Sequence, residues 1–423
     1  MYTRSLIVRR ALFISALGAT IGVGHAGAQT PTTEELWEII QKQQEMIEAL
    51  QAKVGETEEK IEAAGEMIDQ AASGDDDPLH WGGYGELHYN AGDTREIDVH
   101  RFVFFTEYEF NDKLRLQSEF EIEHALSGDG NVPNGSAGKP GEVEIEQAFI
   151  EWDVGEAQHL YGGVHLVPAG LLNETHEPPT FFGVERNRVE SEIIPTTWWE
   201  AGVGANGEIG DGLKYDLFVH SGLQTPVTGT SAFRIRSGRQ KVAEASATDP
   251  AATGRIQWNG MPGVNLGASL QYQADLTQTA DIDGDGRREE IDAWLYTVNA
   301  DILVNGWGLR ALYAEWDIDG GATGIGPSSV GRDDQWGYYI EPSYRFTLPN
   351  AGANGDAVLG IFTRYGKFDS QAGDNTDSEE QQFDVGFNYW LHPDVVIKGD
   401  YNQVSVQEGT GADRLNLGIG WQF

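Results

Sequence analysis

The chain has 423 residues, no cysteine and a formal net charge of −39 at pH 7. The absence of cysteine excludes disulfide scaffolds, thiol catalysis and thiolate metal sites. It suits an oxidising compartment, in which unpaired thiols are a hazard. So acidic a chain argues against nucleic-acid binding and is compatible with a solvated pore and with loops that bind cations.

The first 28 residues have the three parts of a secretory signal peptide. Three arginines within the first ten residues form a basic start, and a short apolar run over 11–24 follows. This run is too short to cross a bilayer as a helix. A small-x-small cleavage site, AGA, ends at Ala28. We therefore expect residues 1–28 to be removed on export, and the alternative is an uncleaved anchor.

Residues 29–72 carry a heptad pattern rich in Glu and Gln. Its β-branched residues recur every seven positions and are Ile40, Ile47, Val54, Ile61 and Ile68. The pattern predicts a coiled coil that oligomerises in the periplasm. The alternative is a lone solvated helix, which would be marginal in water. Residues 73–78 (SGDDDP) are typical of a flexible acidic linker.

From residue 79 to residue 423 the chain is a succession of strand-like segments without a long apolar run. Long and short connections alternate between the segments, as external loops and periplasmic turns do in outer-membrane barrels. We predict an all-β fold, a 16-stranded antiparallel transmembrane β-barrel preceded by an α-helical coiled-coil segment. The predicted strands are 79–90, 96–110, 113–125, 142–153, 157–166, 197–210, 212–224, 251–260, 263–275, 291–304, 306–318, 332–347, 355–368, 379–392, 394–406 and 411–423.

Within several segments the apolar residues share one face. In 411–423 every second residue is apolar, and in 113–125 the other face carries three glutamates. We expect the apolar faces to contact lipid and the polar faces to line the lumen. Segments 142–153 and 306–318 alternate less cleanly, and the sequence assigns no facing to them.

The chain ends on aromatic residues at alternate positions, Trp421 and Phe423. This ending resembles the terminal strand that the outer-membrane assembly machinery recognises. This ending and the signal peptide together predict a barrel in the bacterial outer membrane, in contact with lipid and lipopolysaccharide. The coiled coil is then expected in the periplasm. A barrel of sixteen strands is too wide for side chains to fill, so we expect a water-filled pore.

With this strand order, residues 167–196 form the third external loop. The loop mixes apolar residues with charges of both signs, five Glu against two Arg. Charged side chains at a constriction set ion selectivity. The candidate constriction residues are Glu185, Arg186, Arg188, Glu190 and Glu192. The alternative is that these charges pair with each other and with the wall, and only fix the loop.

The signal, the coiled coil, the sixteen strands and a Glu185-Arg186 stretch leading to Pro195 together resemble the phosphate-selective porin O/P family. The resemblance covers nearly the whole mature chain. It implies a homotrimer with three separate pores, and inward-folded loops that carry basic residues for anions. The acidic third loop departs from this pattern, so a broad or cation-preferring pore is the alternative.

Basic residues outside the third loop are candidates for an anion path. Four of them cluster in the fourth external loop (FRIRSGRQK), and two lie in strands. They are Arg234, Arg236, Arg239 and Lys241 in the loop, and Arg101 and Arg115 in the strands. The alternative for the cluster is pairing with lipopolysaccharide or with neighbouring loops.

Residues 281–292 (DIDGDGRREEID) have the spacing of a twelve-residue calcium loop. The positions that would supply oxygen ligands are Asp281, Asp283, Asp285, Arg287 through its carbonyl, Glu289 and Asp292. No cofactor is required, but the spacing predicts a Ca²⁺ ion that rigidifies an external loop. The alternative is an ordinary acidic, glycine-rich turn.

These features predict a passive diffusion channel for small hydrophilic solutes or ions, with anions such as phosphate among the candidates. The alternative is a structural tether of the outer membrane, in which the coiled coil is the functional part and the barrel an anchor. We do not expect an enzyme, because the histidines are scattered and no Ser, His and acid set has a spacing that argues for nucleophilic catalysis.

Overall fold

The computed structural model describes the barrel part of the chain almost completely. The described residues are 37, 41, 42, 44 and 78–423, without 127–140, 279–280, 283, 285, 322–324, 374–377 and 408–410. The predicted signal peptide lies outside them, as does the predicted linker up to residue 77. Of the predicted coiled coil, only four residues between Trp37 and Gln44 are described, and these are helical and exposed. The coiled coil therefore stays a prediction.

The chain divides into two compact units, Met1–Gly74 and Asp75–Phe423. The second unit is a closed barrel of sixteen antiparallel strands, in which each strand pairs with its neighbours in sequence and β1 pairs with β16. The sixteen predicted strands are confirmed, with boundaries within four residues. The strands are β1 (Leu79–Ala91), β2 (Arg95–Asn111), β3 (Leu114–Glu123), β4 (Val143–Asp153), β5 (Gln158–Leu166), β6 (Trp199–Gly210), β7 (Leu213–His220), β8 (Ala251–Met261), β9 (Val264–Gln273), β10 (Ile291–Val304), β11 (Trp307–Gly320), β12 (Asp334–Leu348), β13 (Ala357–Asp369), β14 (Glu380–His392), β15 (Val395–Val406) and β16 (Ala412–Gln422).

Mostly short turns join the strands at one end of the barrel, the turn end, and mostly longer loops join them at the other, the loop end. Asn305 and Gly306 connect β10 to β11, and both have positive φ, as a two-residue type I′ turn requires. A Cβ atom at Gly306 would also lie 2.8 Å from the backbone oxygen of Arg345. Such local turns fix the register of neighbouring strands.

The outer face of the barrel is an exposed apolar belt. On β16, Leu415 and Leu417 are 50% and 45% exposed, whereas Asn416 between them is 2% exposed. Exposed aromatic residues border the belt at both ends: Trp307 and Phe346 near the turn end, and Tyr296 and Tyr313 near the loop end. Apolar belts with aromatic borders are typical of barrels that face lipid. The facing predicted for 411–423 is confirmed.

The structure explains the two segments that alternate poorly in sequence. In β4, Glu146 and Phe149 both face inward although they are three residues apart, because Glu146 is the extra residue of a β-bulge opposite β3. In β11 both faces carry apolar residues. Tyr313 is exposed outside, and Trp316 is fully buried inside, where its Nε1 donates to the Ile193 carbonyl over 2.9 Å.

Two long loops fill part of the interior. In the structure the third loop spans 167–198 and the fourth loop spans 221–250. Their apolar residues pack with inward-facing residues of β10–β12 in one buried core. Short helical turns occur at Pro178–Thr180, Val189–Glu192, Ile235–Gly238 and Pro327–Val330. Among the described residues, no helix has the length and hydrophobicity needed to cross a membrane.

Candidate functional site

The third loop crosses the barrel interior and is bound to the opposite wall. The Val184 N–H donates to Asp400 Oδ2 over 2.7 Å, and Asn388 Nδ2 donates to the Phe181 carbonyl over 2.8 Å. These wall residues lie on β14 and β15, more than 200 positions further along the chain. The structure therefore shows the inward fold of this loop that the family resemblance implies.

Glu190 ties two parts of the third loop together. It is 2% exposed, and its Oε2 accepts hydrogen bonds from the backbone N–H groups of Leu171 and Leu172, both over 2.7 Å. Its Oε1 accepts from the Tyr339 hydroxyl on β12 over 2.6 Å. Gly170 has a φ of +79°, and a Cβ there would lie 2.7 Å from Glu190 Oε2. The structure thus places Glu190 inside the packed loop and corrects its prediction as a constriction residue.

The basic cluster of the fourth loop lies inside the barrel against the third loop. Arg234 forms an ion pair with Glu192. Arg236 donates to the Ser191 carbonyl, and Arg239 donates to carbonyls further along the same loop. Arg234 is thus paired with a neighbouring loop, whereas Arg236 and Arg239 bind only carbonyl oxygens of that loop and keep their place as anion-path candidates.

Two other predicted basic residues have carboxylate partners nearby. Lys241 pairs with Glu142 over 2.5 Å and also with Glu144. Burial alone would lower the pKa of Lys241, but the hydrogen bonds to both carboxylates outweigh it and raise the pKa above its usual value. Arg101 is 5% exposed, and its Nε donates to Glu86 Oε1 over 2.8 Å. The positive charges of Lys241 and Arg101 are therefore largely neutralised by these carboxylates.

Arg115 and Arg188 lie apart from this cluster. Arg115 is near the turn end, where it pairs with Glu151 and, over 2.8 Å, with Asp153. Arg188 pairs with Glu380 on β14 over 3.0 Å. The structure does not bring Arg115 to the third loop, so the predicted basic residues do not form one continuous row.

Two cavities meet at Glu185 and Arg186, which line both of them. The first cavity has a volume of about 280 Å³ and lies between the loops and the wall formed by β1–β4. The second cavity has a volume of about 190 Å³ and lies against β13–β16. These two side chains are therefore placed to act on a solute in either cavity.

The first cavity has an acidic wall and a basic loop side. The carboxylates of its wall are Glu86, Glu121, Glu123, Glu144 and Glu146. The basic residues of its loop side are Arg186, Arg236, Arg239 and Lys241, while Glu185 on the loop side and Arg101 on the wall carry the opposite sign. Opposite charges on opposite sides of a narrow, water-filled space create a transverse field, which acts on any ion or dipolar solute that passes.

Arg186 has no carboxylate partner among the residues that the structure describes. Its Nη1 donates to Thr197 Oγ1 over 2.7 Å, whereas its Nε and Nη2 are buried without a hydrogen-bond partner. Burial, with the positive charge of Arg101, lowers its pKa to about 10. It is therefore charged at neutral pH, and its charge is poorly compensated. Burial also lowers the pKa of Arg236 and of Arg239.

Glu185, the neighbour of Arg186, is held by two residues of β1. Its Oε1 accepts hydrogen bonds from Asn90 Nδ2 over 2.9 Å and from a ring nitrogen of His88 over 3.1 Å. Burial would raise the pKa of Glu185, but the hydrogen bond from His88 and the positive charges of His88 and His100 together outweigh it, and the pKa falls to about 2. At neutral pH this side chain is a fixed carboxylate between the two cavities.

Sequence reasoning missed two charged residues of the opposite wall. Arg364 on β13 is 3% exposed and pairs with Asp384 over 2.7 Å. Lys398 on β15 lies with its Nζ 3.5 Å from the ring centroid of Phe181 in the third loop. The sequence did contain a signal for these residues. The alternation of inward-facing and outward-facing residues places each charge at an inward position of a strand that is otherwise apolar or aromatic.

The predicted calcium loop is only partly described, because Asp283 and Asp285 lie outside the described residues. Asp281 accepts hydrogen bonds from two backbone N–H groups of its own loop, over 2.7 and 2.8 Å. Asp292 lies within β10, opposite Asp319 on β11. The calcium site therefore stays a prediction.

The C-terminal aromatic residues lie where the barrel closes. The Phe423 N–H donates to the Gly83 carbonyl over 2.9 Å, and the Gly83 N–H donates back over 3.0 Å. The Phe423 ring is 55% exposed, and the Trp421 ring packs against Phe102 with centroids 6.4 Å apart. Recognition of this end by the assembly machinery stays a prediction.

Comparison with known proteins gives the class of fold. No family model matches the chain. A protein of Aquifex aeolicus (strain VF5), described as uncharacterized, is 28% identical over 363 residues, which are 81% of this chain and 79% of that protein.

Several solved structures share the fold at low identity. The anion-selective porin from Comamonas acidovorans is 13% identical, with a TM-score of 0.53 over 82% of this chain and 99% of that chain. Salmonella typhi OmpF, in complex with daunomycin, is 15% identical, with a TM-score of 0.55 over 82% and 97%. The channel DcaP of Acinetobacter baumannii is 12% identical, with a TM-score of 0.54 over the same shares. This chain therefore has the barrel fold of outer-membrane porins and channels.

Proposed function

We propose that the protein is a passive diffusion channel of the bacterial outer membrane. An exposed apolar belt surrounds the closed barrel, and a folded-in loop narrows it while leaving two polar cavities. A lipid-facing exterior with a charged, narrowed interior is the arrangement that water-filled pores use. The homotrimer implied by the family resemblance belongs to the same proposal.

We propose further that the channel favours small anions, with phosphate as a candidate. The observation that carries this proposal is the contrast between loop arginines and wall carboxylates around the first cavity. Arg186, Arg236 and Arg239 have no carboxylate partner in the described part of the chain, whereas Glu86 and Glu144 are held by cations. The loop side of the cavity therefore carries positive charge that no carboxylate pairs directly, and this charge faces the carboxylates of the wall.

The expected size of the effect follows from Coulomb's law. A guanidinium and an anion about 4 Å apart interact by about 4 kcal/mol at an effective dielectric constant of about 20. Solvent in the pore and the neighbouring carboxylates reduce this value. We expect removal of one arginine to change the ratio of anion to cation permeability by about tenfold, which corresponds to about 1.4 kcal/mol.

The test is the reversal potential of the full-length protein in planar bilayers, under gradients of potassium chloride and of potassium phosphate. We expect the native channel to prefer the anion and Arg186→Gln to shift the reversal potential towards that of potassium. Arg115→Gln is the matched control, because this arginine lies near the turn end and is paired with two carboxylates. It should leave the reversal potential unchanged.

Two outcomes would contradict these proposals separately. A clear preference of the native channel for potassium over chloride and phosphate would reject the anion path but not the pore. A purified and folded protein that inserts into bilayers without measurable conductance would reject the channel itself.

A further inference from the structure

The third loop places a histidine between two glutamates of the barrel wall. His176 Nε2 lies 3.5 Å from Glu119 Oε1 on β3 and 3.6 Å from Glu146 Oε2 on β4. The three side chains are 3%, 2% and 1% exposed, in that order. Glu146 is the extra residue of the β4 bulge, a feature that often re-aims a side chain at a functional site.

The other ring nitrogen fixes the orientation of the imidazole. His176 Nδ1 donates to the Asn173 carbonyl over 2.9 Å, since a carbonyl can only accept. A neutral ring in this tautomer directs the lone pair of Nε2 at the two carboxylates. Nε2, Glu119 Oε1 and Glu146 Oε2 have no hydrogen-bond partner in the described structure. Three buried acceptor atoms that face one another need either a proton or a metal cation between them.

The distances fit a metal ion better than direct hydrogen bonds. A charge-assisted N–H···O bond has a length of about 2.7–2.9 Å, well below 3.5 Å. Ligand atoms about 2.1 Å from a tetrahedral ion are separated by about 3.4 Å. A histidine whose second nitrogen donates to a backbone carbonyl is also the usual form of a metal-ligating histidine.

We propose that Glu119, Glu146 and His176 bind a divalent first-row transition metal, with Zn²⁺ as the ion that suits this set best. One imidazole nitrogen and two carboxylate oxygens are ligands that Zn²⁺ accepts. The ion neutralises two buried carboxylates and fastens the third loop to β3 and β4. Tyr84 contacts the same place: its buried hydroxyl lacks a hydrogen-bond partner among the described residues, and its ring lies edge-on to His176 at 5.9 Å.

Other clusters of histidine and acidic residues in the described part of the chain lack this combination of buried ligand atoms without hydrogen-bond partners. His88 already bonds to Glu185 over 3.1 Å, and His159 bonds to Asp153 over 2.5 Å. In both clusters the potential ligand atoms hold each other directly. Among the described clusters that contain a histidine, the His176 cluster is therefore the one whose ligand atoms form no direct hydrogen bond with each other.

The test uses the full-length protein purified in detergent and stripped of metal, with Co²⁺ as a spectroscopic probe and Zn²⁺ as competitor. We expect one equivalent of Co²⁺ to produce the visible absorption of a low-coordinate site, and Zn²⁺ to abolish it. His176→Ala should lose this absorption and bind Zn²⁺ at least 100-fold more weakly in calorimetry. His80→Ala is the matched control, since His80 is exposed on β1, and should behave as the native protein.

Glu146→Gln is the second variant, and it keeps the proposal testable if His176→Ala fails to fold. Glutamine keeps the shape of the side chain and offers an N–H donor to His176, so the barrel should fold, and the Co²⁺ absorption should still disappear. The proposal is overturned if the native protein gives no such spectrum, or if both variants give it unchanged. A protonated His176 paired directly with Glu119 and Glu146 would then be the state of the cluster. None of these readouts depends on conductance, so the result is independent of the proposed channel function.

Discussion

Replacement of Glu190 by alanine should release the third loop from its place in the barrel. The carboxylate accepts two backbone hydrogen bonds, from Leu171 and Leu172, and one from the Tyr339 hydroxyl. Alanine leaves all three donors buried without an acceptor. Hydrogen bonds to a charged group contribute about 1.5–3 kcal/mol each, and three that share one carboxylate do not add fully. We therefore expect the loop to lose about 3–5 kcal/mol of local stability.

Hydrogen exchange measured by mass spectrometry on peptides from the third loop can detect this loss. A change of 3–5 kcal/mol corresponds to exchange that is about 100-fold to a few thousand-fold faster. Glu190→Gln should have a smaller effect, about tenfold, because the amide oxygen can still accept. Glu192→Gln is a control on the same helical turn, and it breaks only the ion pair with Arg234. Native exchange rates in a folded Glu190→Ala barrel would refute the idea that this carboxylate holds the loop.

Two further predictions concern charged groups of the loops. The pKa of Glu185 is lowered to about 2, so its stabilisation is complete above the ordinary carboxyl pKa of about 4.3 and is lost as the pH falls towards 2. Hydrogen exchange in the third loop should therefore differ between the native protein and Glu185→Gln at pH 4, and this difference should vanish near pH 2. Loss of the difference already at pH 5 would contradict the lowered pKa of Glu185. Asp281→Ala should abolish Ca²⁺ uptake in calorimetry without a change in conductance, and equal uptake by this variant would reject the predicted calcium loop.

The strands could be predicted because their signals are local. Asn305-Gly306 forms a tight hairpin whatever the rest of the chain does, and outward residues such as Leu415 must be apolar where they face lipid. The same logic explains the two segments, 142–153 and 306–318, to which the sequence assigned no facing. A single inserted residue, Glu146, changes the facing of β4, and Trp316 is apolar on the inner face because a loop packs on it.

The site could not be predicted to the same extent, because its contacts join distant parts of the chain. The sequence marked Glu185 and Arg186 as candidates, and the structure places both between two cavities. The same reasoning predicted Glu190 as a constriction residue of the pore. Its burial could not be predicted, because it depends on contacts with Leu171 and with Tyr339, which is 149 positions away. Periodicity gives the face of a strand, but it does not give the path of a loop across the lumen.

The overall acidity of the chain does not decide which ions the constriction favours. Acidic residues cluster at the loop end in a separate cavity of about 340 Å³, whose strand residues lie on the outward face of β11 and β12, and they are Glu315, Asp317, Asp319, Asp333 and Asp334. Charges in contact with bulk solution are screened over about 8 Å at physiological ionic strength. Arg186 acts at close range on a solute in a narrow space, where screening is weak. These acidic residues therefore lie outside the lumen, whereas the arginines of the two inward-folded loops lie inside it. A net charge of −39 is thus compatible with an anion-preferring constriction.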